Sequence, residues 1–313
     1  MATLKHITLT GIDDRTDIRR LVKLQKDYPL VEFGVLLSWS RQGSERRYPS
    51  FETIRAFNEA GLNLSAHVCG SAARQFAEGG TALLDHIFDN IGTVRFKRMQ
   101  LNLAGFPAKR FAPLPAEYEN IGEVILQVSG IKEFDLYREL HGEHLSVLLD
   151  ASGGRGRESP LVPLKNPFKI GYAGGFGPDN VRQKLDFLLG RPEVDGFWID
   201  METGVRSFDW FDTAKAEAVL KKCYKVLLEN NVYPVYDTHN TFYEGGRKIH
   251  LMKEETGRCL CGYEQAFFDE VNLDHSKSPY KNTLEYVSQP DPDENLCLRC
   301  KKIFVNKMQR YGL

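Results

Sequence analysis

Residues 169–209 read KIGYAGGFGPDNVRQKLDFLLGRPEVDGFWIDMETGVRSFD. Two short runs, KIGYAG (169–174) and GFWID (196–200), carry β-type apolar residues, and DNVRQKLDFLLG (179–190) between them spaces its apolar positions as a helix does. Strand, helix and strand in so short a span predict a βαβ unit with parallel strands. Both strands run into glycine-bearing turns. Gly174 and Gly175 let backbone come close to a ligand, and Pro178 suits the first turn of the helix that follows. Thr203 and Gly204 fall where a short extra helix directs N–H groups outward. Helix N-termini and free backbone amides attract anions. A single glycine turn serves tight βα geometry equally well, but the pair 172–181 and 200–209 on successive strands predicts a phosphate site.

Working outward, six earlier runs repeat the pattern: HITLTG (6–11), VEFGVLL (31–37), LNLSAHV (62–68), RMQLNLA (98–104), EVILQVS (123–129) and LSVLLD (145–150). Most are nearly continuous in apolar residues, as parallel strands buried on both faces must be. Helical spacing fills the gaps, as in DIRRLVKLQKDY (17–28). Eight strands with intervening helices in about 230 residues is the arithmetic of an α/β (β/α)8 TIM barrel. A doubly wound open sheet shares the alternation, which by itself does not show closure. DTAKAEAVLKKCYKVLLENN (212–231) reads as the last helix, after which closely spaced cysteines and loop formers change the texture. The expected division is a barrel over 1–231 and a small C-terminal module over 232–313.

At 42% hydrophobic and 27% charged residues, the 313-residue chain is composed to bury a large core. A formal net charge of −1 gives no global attraction to nucleic acid or an anionic membrane. No segment approaches the roughly 20 apolar residues of a membrane helix. The start, MATLKHITLTGIDD, lacks the pattern of a signal peptide, so a cytoplasmic location is expected.

The motifs, taken in order, resemble phosphoribosylanthranilate isomerase, the barrel enzyme of tryptophan biosynthesis. ITLTGIDD (7–14) is similar to that family's first strand and turn, SERRYPS (44–50) to its second loop, and MQLNLAG (99–105) to its Gln-Leu-His-Gly strand. LLDASGGRGRESP (148–160) resembles its sixth strand and glycine loop, and YAGGFGPDNV and IDMETGVR its two phosphate loops. The resemblance spans about residues 4–210 and keeps its order around the barrel. It implies an Amadori rearrangement of a phosphoribosyl-bearing substrate, with no organic cofactor. It also implies a general acid at Asp150 and phosphate held by Gly174, Gly175, Thr203 and Gly204. Where the family has its basic cysteine, this chain has Thr10.

A threonine hydroxyl is a poor base near neutral pH, so other residues are candidates. Cys69 supplies a thiolate if its pKa is depressed, His67 titrates near neutrality, and Asp13 lies just beyond the first strand. Each also has an ordinary role, as a small buried hydrophobe, a packed imidazole or a helix cap. Gly153, Gly154, Arg155 and Arg157 form a loop at the same face, and Arg46 and Arg47 lie on the second loop. Guanidinium groups there suit a carboxylate or second phosphate, and the resemblance points to Arg46 for an aryl carboxylate.

In the tail, Cys259 and Cys261 form one close pair and Cys297 and Cys300 another, with His250 upstream. Two such pairs supply the tetrahedral ligand set of a structural zinc ion. The order resembles small zinc-knuckle hairpins, which implies His250, Cys261, Cys297 and Cys300; four cysteines is the alternative set. Two competing functional readings stand beside the isomerase. One is a non-catalytic phosphoribosyl-binding protein whose zinc tail contacts a protein or nucleic acid. The other is a lyase or transferase on the same scaffold.

Overall fold

The structure is a computed structural model. It describes residues 2–92, 94, 96–103, 105–107, 110–112, 122–137, 145–150, 160–163, 169–194, 196–230, 242–245, 248–253 and 258–259. The chain forms two compact units, Met1–Cys223 and Tyr224–Leu313, a division earlier in the chain than the expected boundary at 232.

The first unit is a closed barrel of eight parallel strands. They are β1 (Thr3–Thr10), β2 (Val31–Leu37), β3 (Leu64–Val68), β4 (Arg98–Leu101), β5 (Glu123–Val128), β6 (Leu145–Leu149), β7 (Lys169–Tyr172) and β8 (Gly196–Met201). Closure comes from β8 pairing with β1, Ile199 opposite Ile7 and Asp200 opposite Thr8. All eight strands lie within or overlap the apolar runs of the sequence, and every residue of β2, β3, β4 and β5 is buried. Burial on both faces explains why those runs show so little alternation.

Helices α1 (Ile18–Asp27), α2 (Phe51–Glu59), α3 (Gly70–Ala77), α4 (Ala82–Ile91), α5 (Ile131–Tyr137), α6 (Val181–Leu189) and α7 (Thr213–Glu229) intervene or follow. Two starts show their local cause. The Asp17 carboxylate accepts from the Arg19 amide at 3.0 Å and the Ser50 hydroxyl from the Thr53 amide at 3.2 Å, each satisfying an otherwise unpaired first-turn donor. Among the described residues, no helix is long and apolar enough to cross a membrane.

The interior is not uniformly apolar. Arg98 on β4 pairs with Glu32 on β2 and Glu123 on β5, both at 3.1 Å, and its guanidinium lies 4.3 Å from the centre of the Trp198 ring on β8. Thr8 donates to Glu32 at 3.0 Å, and Ser146 donates to Glu123. This charged layer ties β1, β2, β4, β5 and β6 together through side chains that the apolar reading of those strands did not anticipate. Burial pushes the Glu32 carboxyl up from its ordinary range, opposed chiefly by the Arg98 charge.

In the second unit, β9 (Phe242–Gly245), β10 (Lys248–Lys253) and β11 (Arg258–Cys259) form an antiparallel sheet. His250 lies on β10 opposite Tyr243, and Cys259 on β11 opposite Met252. Cys261, Cys297 and Cys300 lie outside the described residues. Among the described residues no cluster of three His, Cys, Asp or Glu side chains is arranged to hold a metal.

Candidate active site

A pocket enclosing about 500 Å³, open mouth included, lies at the C-terminal ends of the strands. Its wall brings together Thr10 from β1, His67 from β3, Gln100 from β4, Gln127 from β5, Asp150 after β6 and Asp200 from β8. The loops after β7 and β8 complete it with Gly174, Gly175, Thr203 and Gly204. A parallel barrel turns every strand's C-terminal end to one face, so residues nearly 200 positions apart in sequence converge there.

The two loops form a single surface. Gly174 and Gly175 adopt φ of +109° and +71°, a region that side-chain-bearing residues rarely occupy. The Asn180 amide spans the turn, donating to the Gly175 carbonyl at 2.8 Å and accepting from the Gly177 amide at 3.0 Å. Buried Lys184 on α6 donates to the Gly174 carbonyl at 2.8 Å. Across from this turn, Thr203–Val205 makes a single 3-10 turn after β8. Gly204 packs so closely that a Cβ would run into the Phe176 carbonyl and come within 2.9 Å of Gly177 Cα. Among the described residues, no group accepts a hydrogen bond from the amides of Gly174, Gly175, Thr203 or Gly204. Four such N–H groups on residues that line one pocket suit an anion.

Two aspartates line the same pocket. Thr10 Oγ1 donates to Asp200 Oδ1 at 2.6 Å, and Gln127 Nε2 donates to Asp150 Oδ2 at 2.8 Å. Burial raises the Asp200 carboxyl to about 7; the Thr10 hydroxyl opposes the rise, and the charges of Asp150 and Glu202 add to it. Two carboxyl groups in differing surroundings are what paired acid–base work needs. Glu202 also lines the pocket, its charge met by Arg47 at 2.7 Å, which Asp209 holds in turn at 2.7 Å.

The other sequence candidates are placed differently. Asp13 is absent from the pocket wall. Fully buried, it accepts from Arg206 at 3.2 Å, from the Phe211 amide at 2.7 Å and from the Arg15 amide at 3.1 Å, bracing the first loop against the last. Cys69 packs with Leu36 and Tyr48 and accepts from Asn102 Nδ2 at 3.0 Å. Burial pushes its thiol up to about 11, the wrong direction for a nucleophile or base. His67 does line the pocket, but burial, reinforced by the Arg98 charge, presses its imidazole down to about 3. Arg46 is exposed and absent from the pocket wall, donating to the Phe208 carbonyl at 3.3 Å, with its guanidinium 5.3 Å from the Trp210 ring centre. Gly153, Gly154, Arg155 and Arg157 lie outside the described residues.

Sequence reasoning passed over Asp200, Gln100 and Gln127 as site residues. The signal was present, since the rule that singled out Asp150, a polar group at a strand's C-terminal end, applies equally to all three.

No protein-family model matches the chain, and no curated protein does. Solved structures similar to it include TrpF from Jonesia denitrificans, at 16% identity and a TM-score of 0.45, covering 71% of this chain and 97% of that one. N-(5'-phosphoribosyl)anthranilate isomerase from Pyrococcus furiosus is 14% identical with a TM-score of 0.45, covering 70% and 98%. Thiamine phosphate pyrophosphorylase from Pyrococcus furiosus is 11% identical with a TM-score of 0.40, covering 71% and 98%. At these values the similarity bears on no individual residue of the site.

Proposed function

We propose that the barrel is an acid–base enzyme acting on a phosphorylated sugar, and that its reaction is an Amadori-type isomerisation. One observation carries the reading: Asp150 and Asp200 share a pocket with the unpaired amides of both glycine loops. The amides seat the phosphate, and the aspartates face the sugar. The Gly174–Gly175 turn, held from behind by Asn180 and Lys184, is organised before the anion arrives, so little ordering accompanies binding.

The electrostatics favour an assignment other than the one the resemblance implies, which gives the acid to Asp150. Asp200, kept protonated up to about pH 7, donates its proton to the ring oxygen as the C1–O bond breaks. The Thr10 hydroxyl then steadies the carboxylate left behind. Asp150, whose carboxylate accepts from the Gln127 amide, takes the proton from C2. The electrons of that C–H bond form the C1–C2 double bond, giving the enolamine of the aminoketose. One proton leaves Asp200 and one arrives at Asp150, so the pair resets by a proton exchange. General acid–base groups of this kind contribute about 10²–10⁴-fold each.

The test is turnover of N-(5'-phosphoribosyl)anthranilate, followed by the change in aryl-amine fluorescence. Activity lost in both Asp150→Asn and Asp200→Asn supports the reading. A folded, phosphate-binding but inert wild type overturns it and leaves the binding-protein alternative.

For the tail we propose structural zinc held by cysteines of 259–300 with His250 as an available ligand, on the strength of the cysteine spacing.

A further inference from the structure

One group in the pocket wall has no part in the acid–base pair. His67 is 1% exposed, lines the pocket, and its Nε2 has no hydrogen-bond partner among the described residues. A buried polar atom left unpaired forfeits its hydration without recompense, and native interiors keep few such atoms. Neutral at physiological pH, the imidazole is neither a counter-charge for phosphate nor a base for a C–H proton. It retains one donor and one acceptor nitrogen.

The surroundings narrow what can satisfy it. On β2, Gly34 faces the same point: a Cβ there would lie 2.9 Å from His67 Nε2 and run into Thr10 Oγ1. With no side chain at Gly34, His67 Nε2 and Thr10 Oγ1 both lie close against the β2 backbone. Further around the wall, Gln100, Asn102 and Gln127 present carboxamides, which both donate and accept. Among the described residues no lysine or arginine lines the pocket. His67 and these carboxamides form an uncharged stretch of donor–acceptor groups in the same pocket as the aspartates and the anion-suited amides, which matches a ligand with hydroxyl groups at one end and a phosphate at the other.

We propose that His67 reads a hydroxyl group of the sugar through Nε2, so that the pocket selects a polyhydroxylated phosphate ester over phosphate alone. This rests on the phosphorylated-sugar reading of the same pocket. His67 is thus a specificity contact, and the proton transfers belong to Asp150 and Asp200.

The full chain is titrated calorimetrically with two probes, inorganic phosphate and ribose 5-phosphate. Wild type is expected to prefer ribose 5-phosphate, and His67→Leu to weaken that probe roughly tenfold while changing phosphate affinity less than about twofold. A purely structural His67 weakens both probes alike, and that result overturns the proposal. Should His67→Leu fail to fold, wild type with ¹⁵N-histidine replaces it. The His67 Nε2 resonance is expected to move with ribose 5-phosphate and not with phosphate, and a resonance still under both overturns the proposal. Phosphate binding with no gain from the ribose overturns this inference alone. If neither probe binds, the phosphate reading falls and takes the inference with it.

Discussion

Thr10 Oγ1 and Asp200 Oδ1, 2.6 Å apart, join the ends of the first and last strands of the barrel across the seam where it closes. The hydroxyl favours the charged carboxylate, yet burial wins and holds Asp200 up at about 7. In the pH–rate profile, kcat/KM is therefore expected to fall as pH rises through about 7, where the proton donor ionises. Asp200→Asn should lower kcat by about 10²–10⁴-fold and abolish that alkaline limb. A limb that survives in the variant assigns the acid to another group.

The same shift predicts a stability effect. The folded Asp200 carboxyl sits at about 7, above an ordinary aspartate near ~3.9, so folding takes up a proton between those values. This contribution is fully present below about pH 4 and is lost as pH climbs through about 7. Urea titrations of wild type and Asp200→Asn across that window should differ in slope, the variant being flatter. Parallel curves would falsify the assignment of the raised group.

Asp13 separates a structural carboxylate from a catalytic one. Asp13→Asn leaves Arg206 buried beside a neutral amide, and a loss on the order of 3–5 kcal/mol is expected for a broken buried pair. Per folded molecule, kcat should stay within about threefold of wild type, an effect far below that of removing an acid–base group. Thermal unfolding and active-site-normalised turnover, measured together, decide this.

Arg98→Met tests the charged layer within the barrel. It removes the cation shared by Glu32 and Glu123, leaving two buried carboxylates without their counter-charge. Destabilisation of about 3–5 kcal/mol is expected, seen as a lower urea midpoint with unchanged m. A drop under about 1 kcal/mol would show that the layer contributes little net stability.

Gly204→Ala addresses the phosphate cradle. Its Cβ has no room against the Phe176 carbonyl, so the two loops must part. Inorganic phosphate affinity should fall at least about tenfold, an amount equal to ~1.4 kcal/mol, with the barrel still folded by circular dichroism. Unchanged affinity would place the anion elsewhere.

The barrel was legible along the chain because its strands are short apolar runs at regular intervals, and burial on both faces writes that pattern directly into composition. The glycine loops were legible for a similar reason, since positive φ at Gly174 and Gly175 and the close approach at Gly204 restrict the residue type at those positions. Only the closed sheet decided which polar residues meet. Asp13 and His67 read alike as candidates, yet the return of the last loop draws Asp13 onto Arg206 and away from the pocket. Strand register brings Asp200 beside Thr10 and turns Gln127 onto Asp150. Desolvation likewise belongs to the assembled barrel. The same burial that lifts Asp200 to about 7 presses His67 down to about 3, because low dielectric disfavours whichever form is charged.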